Sequence, residues 1–114
     1  MEASEAEFRV WLAKELRRCH HKYKPRKAAY VSARESRGKY KCAYCAGLFG
    51  PKEIAVDHIK PVVDPKTGFV NWDDHIKRLF CAEENYQVLC KKCHTEKSNY
   101  ENAKRREMRA EGKY

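Results

Sequence analysis

The sequence predicts an α+β fold: a small strand–strand–helix core stapled by a four-cysteine metal site, with helices before it and a long helix at its end. Three observations predict it. Helical periodicity marks both ends of the chain, short β-branched runs occupy the middle, and two Cys-x-x-Cys pairs flank those runs. The cysteines weigh most. A chain of 114 residues, 36% of them charged and with a mean hydropathy of −0.91, buries only a modest core, so a staple is expected.

The elements follow in order. "SEAE" is a capping box, with Ser4 as cap and Glu7 three residues on. Phe8, Trp11, Leu12, Leu16 and Cys19 then recur at helical spacing, which predicts a helix over 5–20 whose apolar stripe packs on the domain. Pro25 starts a second helix, expected to continue to Gly38. "KYKCAYCAGLFG" reads as a hairpin knuckle with Gly47 and Gly50 in turns. "KEIAVDHI" reads as a strand ending near His58. A loop follows, then a short helix capped by Asn71, in which Trp72 and Phe80 are expected in the core. "NYQVLC" is extended, and a polar helix runs from His94 to Gly112. One domain is expected over 1–114. It divides into a basic helical extension (1–38), the stapled core (39–100) and the end of the last helix (101–114).

The formal net charge is +9, unevenly spread. Residues 17–41 hold ten Lys/Arg and one acid, so this window alone carries +9. A basic arm beside a near-neutral core points to a polyanion, most simply nucleic acid. A one-signed run can also be a solvated face, but such a cluster repels itself. The residues expected to touch the nucleic-acid backbone are Arg17, Arg18, Lys24, Arg26, Lys27, Arg34 and Arg37. No apolar run is long enough to span a bilayer, and the N-terminus lacks the pattern of a secretory signal. A cytoplasmic location without a membrane is therefore expected, where disulfides rarely persist.

Six cysteines in a reducing compartment point to metal. Cys42 and Cys45 form one knuckle and Cys90 and Cys93 another, with 44 residues between them. Two pairs of thiolates suit a tetrahedral structural zinc. A redox pair would not require the second pair. Cys19 and Cys81 lie outside the pattern and are read as packing residues. A closed four-thiolate site has no open coordination position, so any hydrolytic chemistry must sit elsewhere.

Asp57 and His58 end the central strand, where successive side chains leave on opposite faces. One can bind a cation while the other stays free as a base. His94 directly follows Cys93, so the knuckle aims it. A carboxylate and an imidazole suit one divalent cation, and His58 could take a proton from water near neutral pH. His20 and His21, among basic residues, are read as surface or phosphate contacts. His75, near Asp73 and Asp74, is a weak second metal candidate. Lys97 could reach a phosphate or only pair with a carboxylate.

The string "CAYC…VDHIKP…NYQVLCKKCHTEK" resembles the zinc-stapled HNH endonucleases, whose site is a ββα-metal fold. The resemblance covers residues 39–100. The preceding "LRRCHHKYKPRKAAYVSARESRGKYKC" is similar to small phage-type members. The resemblance implies that His58 is the general base, that Asp57 and His94 hold a catalytic Mg²⁺ or Mn²⁺, and that Asn85 orients the loop and the His58 ring. It implies DNA cleavage to 5′-phosphate and 3′-hydroxyl ends, and a bacterial host cell if the chain is phage-encoded. One departure stands out. Some members carry a further metal-binding His one turn after the last, where this chain has Ser98, so a third protein ligand stays open. Two other readings stay open as well: a non-catalytic zinc module that binds nucleic acid, and a phage packaging accessory acting with a terminase.

Overall fold

The computed structural model describes residues 2–112; Met1, Lys113 and Tyr114, which the expected domain limits include, lie outside them. The chain runs α1 (Glu5–His20), α2 (Lys24–Ser32), β1 (Arg34–Ser36), β2 (Lys39–Lys41) and β3 (Leu48–Phe49). It continues through β4 (Ile54–His58), α3 (Trp72–Leu79), β5 (Tyr86–Cys90) and α4 (Lys91–Ala110), with single 3₁₀ turns at Pro51–Glu53 and Glu83–Asn85. The strands form two small antiparallel sheets, β1-β2-β3 and β4-β5. The α+β class and the strand–strand–helix core, β4-β5-α4, are as the sequence predicts.

α1 starts at its capping box: Ser4 Oγ accepts from Glu7 N at 3.1 Å, and Glu7 returns a bond to Ser4 N. Its apolar stripe does not pack as expected. Phe8, Val10 and Trp11 are exposed. The anchors of this end are an edge contact of Phe8 on Trp72 and Arg9 over the Phe69 ring. Cys19 is likewise exposed, its thiol donating to the Leu16 carbonyl, and not a packing residue. The buried residue of α1 is His20, which corrects its reading as a surface group. It continues the Leu12–Leu16 row by one more step of four, a row that sinks into the core only at its end.

α2 opens with Pro25 in its first turn, as expected, but stops at Ser32 and not at Gly38. Arg34–Ser36 instead pairs with Lys39–Lys41, and Gly38, at φ +71°, makes the hairpin turn. β2 leads directly into the first knuckle, so strand pairing anchored there overrides helix propensity in α2. In α3, capped by Asn71 Oδ1 on Asp74 N, the fully inward residues are His75 and Leu79. Trp72 and Phe80, expected in the core, are only half-buried.

The β4-β5 register matters most for function. Asp57 lies opposite Gln87, His58 opposite Tyr86, and Ile54 opposite Cys90. β5 runs without a loop into α4, which begins at Lys91, one turn before the expected His94. Cys90 is the cap: its sulfur accepts from Cys93 N at 3.5 Å. The second knuckle is thus also the start of the helix that carries His94. Cys42, Leu89, Cys90 and Cys93 form the buried core cluster, with Phe49 against it.

Candidate active site and cysteine cluster

The first knuckle is a tight turn in which Cys42 N donates to Gly47 O and Ala46 N to Cys42 O. Ala46 sits at φ +61°, a left-handed position that the turn demands. A Cβ on Gly47 would meet the Phe49 ring at 2.8 Å, so any other residue there would force that ring to shift. The result brings all four thiols, Cys42, Cys45, Cys90 and Cys93, within 4.8 Å of one another. Cys45 and Cys90 sulfurs are 4.0 Å apart; tetrahedral bonds of about 2.3 Å place sulfurs about 3.8 Å apart. The electrostatics also call for a cation. Burial opposes ionisation of Cys42, but backbone hydrogen bonds from Cys45, Cys90 and Tyr44 outweigh it and bring its thiol down to about 6. Hydrogen bonding to Cys90, then burial, push Cys93 up to about 12. Four thiols gathered this closely from two tight turns are a donor set that fits a tetrahedral ion such as zinc.

Next to this cluster lies a cleft of about 260 Å³. That is below the roughly 300–1,000 Å³ of pockets that enclose a small molecule, and its walls are polar and charged. Asp57 and His58 from β4, His94, Glu101 and Arg105 from α4, and Arg17 from α1 line it. His94 Nε2 is 3.7 Å from Asp57 Oδ1. A divalent cation with bonds of about 2.1 Å spans adjacent donors about 3.0 Å apart, so closing by less than about 1 Å would let both atoms bind one ion. The other Asp57 oxygen, Oδ2, is engaged. It accepts from Gln87 Nε2 at 3.1 Å and pairs with Lys97 Nζ at 3.0 Å.

Of the two roles open to Lys97, the structure has the carboxylate one. Its side chain is only 11% exposed, and the ammonium also bonds Glu101 at 3.2 Å and the His58 carbonyl at 3.0 Å. Burial works against the charge, but the bonds to Asp57 and Glu101 outweigh it and raise the pKa above the ordinary lysine value. Ser98 lines the same cleft as Asp57 and His94, and among the described residues the four cysteines form the one cluster of three or more His, Cys, Asp or Glu donors.

His58 is half-buried. Its Nε2 lies 2.9 Å from the Leu79 carbonyl oxygen, which can only accept, so Nε2 carries the proton and Nδ1 keeps a free lone pair. Burial pushes its pKa below the usual imidazole value; the Leu79 bond and Asp57 oppose this, while Arg17 and Arg26 reinforce it. The ring is therefore neutral at neutral pH. Asn85 was expected to orient both the loop and this ring. It ties down the loop: its side chain accepts from Lys60 N at 3.1 Å and its carbonyl from Ile59 N at 2.8 Å. The ring is held instead by Leu79 and its aromatic neighbours His20 and Tyr86.

Of the basic residues singled out, Arg17 lines the cleft, and Arg17 and Arg26 lie near enough to act on His58. Arg18, Lys24, Lys27, Arg34 and Arg37 are exposed, Arg18 pairing loosely with Glu15. His21 is exposed as expected. Glu101 and Tyr86 escaped the sequence reading, and His20 is read there only as a surface or phosphate contact. Glu101 had one signal, its i,i+4 spacing from Lys97.

Two antiparallel strands running into a helix, stapled by a cysteine cluster and carrying an Asp-His/His cleft, define a small ββα-metal protein. The chain belongs to the HNH endonuclease family, whose model matches residues 42–100, just over half of the chain. No curated protein and no solved structure matches it. The family is one of nucleases, and its substrate class is nucleic acid. No helix among the described residues is long and apolar enough to cross a membrane.

Proposed function

We propose that this chain is a metal-dependent DNA endonuclease that cuts one strand per event and leaves 5′-phosphate and 3′-hydroxyl ends. The observation that carries the reading is the His58 tautomer: with Nε2 tied to Leu79, the free Nδ1 is the base that takes a proton from the attacking water. Burial keeps that nitrogen unprotonated at neutral pH. Asp57 and His94 hold one divalent ion, Mg²⁺ or Mn²⁺, and Lys97 with Gln87 fixes the carboxylate so that Oδ1 faces His94. Such an ion, when bound, offsets charge on the scissile phosphate and the leaving 3′ oxygen. The four cysteines hold zinc and place His94. Asn85 holds the turn after His58. Arg17, with the exposed cations of residues 17–41, tracks the DNA backbone, and a cleft of about 260 Å³ is too small to enclose a small-molecule ligand.

Supercoiled plasmid incubated with Mg²⁺, Mn²⁺ or EDTA tests the reading. The wild type is expected to give open-circle product only with metal. His58→Ala is expected to lose about 10²–10⁴ in rate while keeping its zinc. No cutting by the wild type with any divalent ion would favour a non-catalytic zinc module that binds nucleic acid. Cutting by His58→Ala at the wild-type rate would overturn the assignment of the base.

A further inference from the structure

Around His58 the structure builds a relay that begins outside the matched HNH region. The Tyr86 hydroxyl, almost fully buried, donates to the Leu79 carbonyl at 2.8 Å. It has one proton, so the contact to His20 Nε2 at 2.7 Å must run the other way, from the His20 ring to the Tyr86 oxygen. The Leu79 carbonyl thus accepts twice, from Tyr86 and from His58 Nε2, which uses both its lone pairs. The rings are stacked as well as bonded. His20 lies 24° from parallel to His58 with centroids 5.2 Å apart, and 29° from parallel to Tyr86 at 5.6 Å. Phe80 closes the group edge-on to His20, and Tyr23 edge-on to Phe80.

We infer that His20, from the end of α1, is a positioning residue for His58. Through Tyr86 and the Leu79 carbonyl it fixes which nitrogen of His58 keeps the proton and the plane in which the other meets water. This rests on the reading of His58 as the base. The chemistry is that of orientation. A tyrosine free to rotate its hydroxyl would leave the carbonyl less defined, and a carbonyl that turns away releases the His58 ring. With the His20 donor in place, the one Tyr86 proton has to point at Leu79. The basic extension therefore completes the cleft from behind, in addition to any contact its cations make with a polyanion.

Two substitutions separate the hydrogen bond from the stacking. His20→Phe keeps a ring and removes the donor; His20→Gln keeps a donor at the same reach and removes the ring. Tyr86→Phe cuts the relay in its middle with almost no change in shape. His20→Phe and Tyr86→Phe are expected to lower kcat for plasmid nicking about 10- to 100-fold with KM little changed, the scale of a misplaced reacting group. His20→Gln should regain most of that loss. The ring carbon–proton resonance of His58, sharp in the wild type, should broaden in Tyr86→Phe as the ring samples two orientations. Melting temperature and bound zinc, followed in parallel, identify any variant that has merely unfolded, and the near-isosteric Tyr86→Phe then carries the test. If His58→Ala abolishes nicking but His20→Phe and Tyr86→Phe keep wild-type kcat and a sharp His58 resonance, the positioning role is overturned and the base assignment survives. Wild-type nicking by His58→Ala overturns both.

Discussion

The cysteine cluster and the cleft share one junction, the passage from β5 into α4, and are built on it by opposite means. The cluster takes four donors of one kind from two tight turns, and three of the four are buried. It is closed, and each of the two turns that supply it is local. The cleft takes unlike groups from β4, α4 and α1, leaves His94 partly exposed, and sets the Asp57 carboxylate against His94 and Lys97. It is open and depends on tertiary packing. The difference shows a division of labour: the closed site fixes a strand–helix angle, and the open site borrows that angle. His94 sits one residue beyond Cys93, and Asp57 reaches it because the β4-β5 register sets Asp57 opposite Gln87, three residues before Cys90.

The widest break in the comparison is loss of the cluster. Structural zinc in small domains is worth about 10–16 kcal/mol, against a total stability of about 5–15 kcal/mol. Chelation of the cysteine-held ion, or Cys93→Ser, is therefore expected to abolish the folded circular-dichroism signal, and cleavage with it. A metal-free chain that keeps its fold and melting temperature would show that the cleft does not depend on the cluster.

A narrower break lies inside the cleft. Lys97 holds Asp57 and Glu101 together, and all three side chains are at most 16% exposed. Removing one partner of a buried ion pair costs about 3–5 kcal/mol because the other charges are left uncompensated. Lys97→Met should therefore lower the melting temperature by on the order of 10 °C. Mn²⁺ should restore part of that loss, since an ion at Asp57 replaces the missing ammonium. A melting temperature equal to wild type, with and without Mn²⁺, would mean that Lys97 is no part of the frame around Asp57.

The same division explains what could be read in advance. The spacings Cys42-x-x-Cys45 and Cys90-x-x-Cys93 encode their turns within four residues each, and Ser4 with Glu7 encodes a helix start in the same local way. Asp57, His58 and His94 could be grouped because each is tied to a strand end or a knuckle. What escaped depends on distant chain. Gly38 marks a turn in either reading, and only pairing of Arg34–Ser36 with the knuckle-bound β2 decides that the turn belongs to a hairpin. The His58 partner is a backbone carbonyl, Leu79, to which no side-chain pattern points. His20 looked like one more polar residue in a basic run; its place after Leu12 and Leu16 at steps of four was the available sign that it turns inward.

The smallest effect joins the two parts of the cleft through charge alone. Only neutral His58 can accept a proton, so kcat should be lost as pH falls through the pKa of His58 and should be present above it. Burial lowers that pKa below the ordinary 6.5, with Arg17 a further contributor in the same direction. The acid limb of the wild-type profile is therefore expected below pH 6.5. Arg17→Gln removes a positive charge that disfavours the imidazolium, so its acid limb should move up in pH, with the plateau kcat almost unchanged. Arg17 is exposed and its field is open to screening. High salt should therefore shift the wild-type limb upward and close the gap between the two proteins. Acid limbs that coincide at low salt would show that Arg17 acts on the substrate alone, and that burial by the ring cluster governs the base.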